Sequence, residues 1–397
     1  MLLSITWAMI ARFAVIALFF DGLGPLLPEL SISFGATDRQ FQKIIALALI
    51  VFAVFQLVSA AVIAHLGLYQ SIIASSLALV IATVLLCLLE NAWLMIGLFI
   101  ALFAINSIGA SATRIALRDL TSHHQFKKIF SRANALTQVL QIFTPGIAGG
   151  LAALYGWRWA ILGMVLPIAV VNVWLHMSNP SQLESFNLPR SHLTLANARS
   201  LLQIRPVLVA LLTHCLFYLC FAYTLNWLPF ILAHQMTLPT EIVGSLISLF
   251  YAASAAGFML SGYLAGRLKD KKICAIGLTL MVTTITLLML TQGLDPMSQA
   301  ATLAWLVGIL LLELAYGFIV LPNTAIVMNV HPTHRPVASA LLGFSAALSA
   351  GATMFLMAIL KIDYQLGIPG LIGLAILSIL GMQILHAKLS PKVVAEQ

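Results

Sequence analysis

Residues 178–206 read SNPSQLESFNLPRSHLTLANARSLLQIRP, the longest stretch of the chain that is not apolar. Working outward from it, six apolar runs precede, near 9–30, 44–65, 71–89, 92–113, 133–154 and 159–177. Six more follow, near 207–232, 242–265, 273–291, 301–322, 337–360 and 368–387. Each is close to or above the roughly 20 residues that a helix needs to cross the hydrocarbon of a bilayer. None alternates with the period of two that a barrel strand requires, so the spans are expected to be helices. The sequence therefore predicts an all-α membrane protein of twelve transmembrane helices. An N-terminal half (1–177) and a C-terminal half (207–397) flank a central loop (178–206).

Composition supports this. Of 397 residues, 8% are charged and 61% hydrophobic. A soluble fold lacks the interior to hide that much apolar surface, and a disordered chain would not carry it. Twelve spans leave room only for short loops, not for a sizeable soluble enzyme domain. The net charge of +8 raises nucleic acid as a partner, but retention of Lys and Arg in cytoplasmic loops explains it better. With the N-terminus in the cytoplasm, fifteen of the 20 basic residues fall in cytoplasmic loops or the C-terminal tail. Only Arg39, Lys43, Arg158 and Lys361 fall opposite, with Arg12 set aside. Cys87, Cys215, Cys220 and Cys274 lie in or beside apolar runs without CxxC spacing, so neither a disulfide framework nor a metal site is read from them. The start, MLLSITWAMIARF, has neither a basic leader nor an A-x-A site and reads as an uncleaved first span.

The two halves echo one another. SAAVIAHLGLYQSIIASSLAL (59–79) and SGYLAGRLKDKKICAIGLTL (261–280) each end a second span, turn through a glycine-containing loop and begin a third. Parallel six-helix repeats around a long central loop are the plan of the major facilitator fold. Three local matches then carry a family resemblance. Asp21-Gly22-Leu23-Gly24-Pro25-Leu26-Leu27-Pro28 resembles a D-x-x-L-P-A-L-P stretch of a first span. Ala116-Leu117-Arg118-Asp119 resembles an A-L-x-R-D that ends a fourth. Pro145 to Gly150, with Gly146, Gly149 and Gly150, followed by Gly156-Trp157-Arg158-Trp159, resembles the end of an antiporter motif in a fifth. In that order they make the chain similar to major facilitator transporters, closest to the proton-coupled multidrug exporters of the Bcr/CflA group.

The resemblance implies an inner-membrane antiporter with cytoplasmic termini, acting as a monomer on amphiphilic drug-like or metabolite compounds by efflux. It assigns gating to Pro25, Pro28, the Arg118-Asp119 latch and Arg267 in Gly262-Tyr263-Leu264-Ala265-Gly266-Arg267. The chain departs from the pattern between spans 2 and 3, where only Gly67 of the usual loop motif remains, and at Phe99, where an intramembrane arginine is usual. That departure keeps open an importer of a nutrient or siderophore, or a sensor on a transporter fold.

An ionisable side chain at membrane depth costs at least about 2.5 kcal/mol, so the few present are functional candidates. Arg12, near the start of span 1, is expected to snorkel to headgroups. Asp21, halfway along span 1 beside helix-loosening Gly22, Gly24 and Pro25, is a candidate for proton coupling. Glu313 in LLLELAYGF and His214 in span 7 are the others. Each has a structural alternative in a hydrogen bond to a neighbouring helix. Tyr218, one turn from His214, with Tyr223, Asn226 and Trp227, gives span 7 the aromatic-polar character of a ligand wall. Asn106, Gln138, Gln141, Tyr251 and Tyr316 are further cavity candidates. There is no P-loop for an ATP-driven pump, and neither HExxH nor GxSxG for an enzyme. The expected partners are a bilayer, a small solute and protons, with no cofactor, no metal and no nucleic acid.

Overall fold

The computed structural model describes residues 2–120, 123–177, 195–291, 299–330, 334–362 and 364–389. The described chain is helical, without strands. The first span is broken. Helix α1 (Leu2–Leu23) gives way to one tight turn, Gly24–Leu26, and resumes as α2 (Leu27–Ser33). Pro25 and Pro28 lack the N–H groups that would continue the ladder, which is why the break falls there. The N-terminal half continues with α3 (Asp38–Leu66), α4 (Leu68–Leu88), α5 (Ala92–Asp119), α6 (His123–Tyr155) and α7 (Trp157–Met177). A short helix, α8 (Leu195–Gln203), lies within the expected central loop. The C-terminal half comprises α9 (Arg205–Phe230), α10 (Thr240–Leu264), α11 (Asp270–Leu290), α12 (Gln299–Met328), α13 (Arg335–Leu360) and α14 (Tyr364–Leu389). Among the described residues, eleven helices are long and apolar enough to cross a membrane, and the fifth span is shorter, Val139–Tyr155. The protein is a multi-pass membrane protein.

Local chemistry sets the connections. Thr37 caps α3 and shares a reciprocal capping box with Gln40. Gly67, at φ 88°, turns α3 into α4 with no residue to spare; a side chain there would be strained. The helices outrun the apolar runs: α5 continues past 113 to Asp119, and α12 past 322 to Met328 despite Pro322.

The halves meet mainly through two helix pairs, α3 with α13 and α6 with α10. Small residues let the backbones touch. A Cβ at Gly149 would lie 2.8 Å from the Thr240 carbonyl oxygen, and one at Gly351 2.8 Å from that of Ala46. One at Gly244 would collide with the carbonyl of Pro145. Within the C-terminal half, Gly257 and Gly317 bring α10 and α12 together in the same way. In lipid, where apolar helix surfaces gain nothing from leaving water, such close packing is what holds helices together.

Gly317→Val should therefore lower the melting temperature of the detergent-solubilised protein, at a cost of at least about 1–3 kcal/mol. Gly97→Val, at an exposed position with nothing within 4 Å of a new Cβ, should leave it unchanged. Equal melting of the two variants would contradict this packing.

Candidate functional site

A cavity of about 460 Å³ lies between the halves. The N-terminal half contributes Phe13, Phe20 and Leu23 from α1, Phe52 from α3, and Phe99, Phe103 and Arg114 from α5. The C-terminal half contributes His214, Tyr218, Phe221 and Asn226 from α9, Tyr251 and Phe258 from α10, and Tyr316 from α12. Gln141 of α6 and Gly343 of α13 also line it. The volume suits a drug-sized ligand, for which sites run from about 300 to 1,000 Å³.

The walls are preorganised aromatics. Phe20 meets Phe103 edge-on at 4.6 Å and Phe52 at 5.6 Å. Opposite them, Phe221 stacks on Tyr316 at 4.5 Å, and Tyr316 on Phe217 at 5.8 Å. Tyr218 and Tyr316 share a hydroxyl–hydroxyl bond of 2.6 Å, which fixes both rings. His214 packs against Tyr218 at 4.7 Å, is 6% exposed, and has no hydrogen-bond partner at either ring nitrogen among the described residues.

Several expected residues therefore come together: His214, Tyr218, Asn226, Gln141, Tyr251 and Tyr316 all line this cavity. Others lie elsewhere. Tyr223 is buried with its hydroxyl 3.1 Å from where a Cβ at Gly367 would stand, and the Trp227 ring lies tilted beside it at 6.4 Å. Asn106 is buried outside the cavity lining, and neither amide atom has a partner among the described residues. Glu313 is 1% exposed and sits between α12 and α10, where the Ser254 hydroxyl donates to its Oε2. Pro145, Gly146 and Gly149 form the close crossing with α10, and the Gly146 N–H donates to Ser248 at 3.2 Å. Gly150 has open space around it, and the Arg267 guanidinium lies over the Tyr263 ring at 4.2 Å. The side chains of Asp21, Arg118, Asp119 and Gln138 lie outside the described residues.

Two arginines depart from expectation. Arg12 does not snorkel: it is 0% exposed and points into the N-terminal half. Its Nε donates to Thr113 at 3.2 Å, Nη1 to the Asn172 amide oxygen at 2.6 Å, and Nη2 to the Ile72 carbonyl at 3.2 Å. One guanidinium thus braces α1, α4, α5 and α7, because its planar fork reaches acceptors in three directions. Gly109 leaves room for Nη2, since a Cβ there would stand 3.3 Å away.

Arg114, one residue beyond the apolar run 92–113 and so expected in a cytoplasmic loop, belongs to α5 and reaches the cavity, because α5 runs on past that stretch. Its Nη1 donates to the Ser339 carbonyl of α13 at 3.2 Å and its Nη2 to Gln56 Oε1 of α3 at 3.3 Å. Ser111 also donates to that oxygen, and the Gln56 amide donates to the Ser107 carbonyl at 3.3 Å. Gly343 makes space for Gln56, which a Cβ there would strike. The signal was present in the sequence: Ser107, Ser111 and Arg114 fall at i, i+4 and i+7, one polar stripe on a helix.

Arg12→Ala should cost about 3 kcal/mol or more of folding stability, since it removes three charge-assisted hydrogen bonds and leaves a void. Arg12→Lys should recover only part, a point charge being unable to serve three separated acceptors. A thermal melt of Arg12→Ala matching the wild type would show the network to be dispensable.

Comparison with known proteins follows the same lines. No curated protein sequence matches the chain. The fold matches the xylose transporter XylE from E. coli in a partially occluded inward open conformation (TM-score 0.74, 13% identity, covering 100% of this chain and 99% of that one). It also matches a bacterial homologue of the iron transporter ferroportin in an outward-facing state (TM-score 0.70, 16% identity, 97% and 98% covered). At these identities the likeness is one of fold. The sequence profile of the Major Facilitator Superfamily matches residues 9–354, and the protein belongs to that family.

Proposed function

We propose that the protein is a secondary active transporter that exports an amphiphilic small organic solute across the inner membrane in exchange for protons, by alternating access. The observation that carries this reading is the central cavity: aromatic on both walls, with few hydrogen-bonding groups, and walled by helices of both halves. Such a lining suits a solute with an apolar body and a few polar groups. The excess of basic residues in the loops on one side supports cytoplasmic termini.

Contacts between the halves stand at both ends of this cavity. At the end away from the chain termini, His234 pairs with Asp38 at 2.7 Å, Thr240 donates to Glu29 at 3.2 Å, and Gln42 donates to the Asn226 carbonyl at 2.9 Å. At the end that carries the termini, Arg114 reaches Ser339, and Phe13 joins a cluster that includes Val207 and Val337 of the C-terminal half. Breaking one set while keeping the other would open the cavity to one side at a time. Proton coupling falls to Asp21, placed beside the break in the first span, and to His214 on the cavity wall. Both are groups whose protonation state changes their burial cost. Glu313, held by Ser254 away from the wall, would act through α10 and α12 and not on the solute.

Proteoliposomes with an imposed pH gradient and a set of fluorescent amphiphiles of both charge signs test the reading. At least one dye should accumulate against its gradient, and a protonophore should abolish the accumulation. The gradient sign that drives it separates export from import. Binding of dyes without any accumulation would instead mark a sensor. Asp21→Asn should lose uphill transport while still inserting in the membrane and still exchanging solute down its gradient. Uphill transport at the wild-type rate would remove Asp21 from the coupling.

A further inference from the structure

The cavity wall carries one formal charge among its described residues, and that charge is positive. Arg114 is a guanidinium inside a helical bundle, partly buried, on a surface that is otherwise aromatic, aliphatic or neutral polar. Its partners are a backbone carbonyl and an amide oxygen, both neutral. The Gln56 oxygen that it shares already accepts a bond from Ser111. No described carboxylate pairs with it; the ion pair among the described residues, His234 with Asp38, lies at the far end of the bundle. Arg12, the other deep cation, is consumed by its three acceptors within the N-terminal half and does not reach the cavity lining. A cation left without a counter-ion in low dielectric strongly favours an incoming anion, and the arginine fork matches a carboxylate with two parallel hydrogen bonds.

The surroundings fix the rest of the ligand. Beyond Arg114 the walls present the stacked Phe221 and Tyr316 on one side and the Phe20–Phe103 pair on the other, which suits a flat apolar body. We infer that the solute is an amphiphilic organic anion, with a planar aromatic body between these walls and its carboxylate on Arg114. The inference rests on the transport reading of the same cavity and adds the sign of the solute's charge. It also links recognition to opening. A carboxylate that takes the guanidinium competes with the Ser339 carbonyl, so loading would weaken a bond that ties the halves together at the end carrying the termini.

The test uses the detergent-purified full chain and tritium-labelled 1-naphthaleneacetate, with binding read by scintillation proximity. Two competitors keep the ring and change the charge: 2-(1-naphthyl)ethanol, which is neutral, and 1-naphthylmethylammonium, which is cationic. On the wild-type protein, unlabelled naphthaleneacetate should displace the label at concentrations about tenfold or more below either competitor. Arg114→Gln should erase that preference, and Arg114→Lys should keep its order at reduced strength. Displacement by the alcohol or the ammonium as readily as by the acetate overturns the inference, as does failure of the acetate to bind at millimolar concentration. The charge preference is read on the wild type, so it stands even where Arg114→Gln fails to fold. Uptake in proteoliposomes separates the two readings: anion-selective binding without uptake sinks transport alone, whereas uptake of only the cationic probe sinks the anion alone.

Discussion

The two close helix crossings between the halves set the architecture. Where α6 meets α10, and where α3 meets α13, glycines bring backbone against backbone. In a bilayer the hydrophobic effect cannot drive such contacts, because the lipid tails offer the same apolar surroundings as a neighbouring helix. What remains is short-range attraction, which needs small residues at the crossing. Four helices thus tie the halves together, and they share the lining of the cavity with α1, α5, α9 and α12.

Arg12 and Arg114 differ in which helices they join. All three acceptors of Arg12 lie in the N-terminal half, so its network is indifferent to how the halves are arranged. Arg114 divides its bonds between Gln56 in its own half and Ser339 in the other. The same side-chain type serves as an internal brace in one place and as a contact between the halves in the other. The distinction lies wholly in which helices supply the acceptors.

That distinction is also where the sequence ceased to be legible. The span pattern, the two halves and the interruption at Gly24-Pro25 could be read directly, because uniform apolar runs and missing N–H donors act locally. Of the polar and aromatic residues of α9 and α12, His214, Tyr218, Asn226 and Tyr316 line the cavity, whereas Tyr223, Trp227 and Glu313 do not. Depth was harder. Position at the edge of an apolar run places Arg12 and Arg114 near the membrane surface, but a helix continues wherever its backbone is satisfied, and polar side chains then point inward if acceptors await them. Those acceptors (Asn172, Ile72, Gln56 and Ser339) come from helices distant in the sequence, so no local pattern could reveal them. Glu313 shows the converse: its depth was evident, but its partner Ser254 lies on another helix.

The contacts at the two ends of the cavity are modest individually. The His234–Asp38 pair is 41% and 35% exposed, and exposed pairs contribute at most about 1 kcal/mol. The Thr240–Glu29 and Gln42–Asn226 bonds add comparable amounts, as do the Arg114–Ser339 bond and the packing of Phe13 at the other end. Among the described residues neither end is locked by a single strong interaction, which suits the proposed alternation between arrangements open to one side or the other. A ligand shifts such a balance only by its differential affinity for the two arrangements. The aromatic walls come from both halves and grip a solute most fully when the halves are closed upon it. Arg114 lines the cavity and bonds to Ser339 of the other half, so on the proposed reading its own bonding changes when that end opens. On the proposed reading differential affinity has two sources, and they oppose one another: wall contacts favour closure around the solute, and capture of the Arg114 guanidinium favours release of its bond to Ser339. Alternating access needs that opposition, because a solute that only tightened its cavity would never leave it.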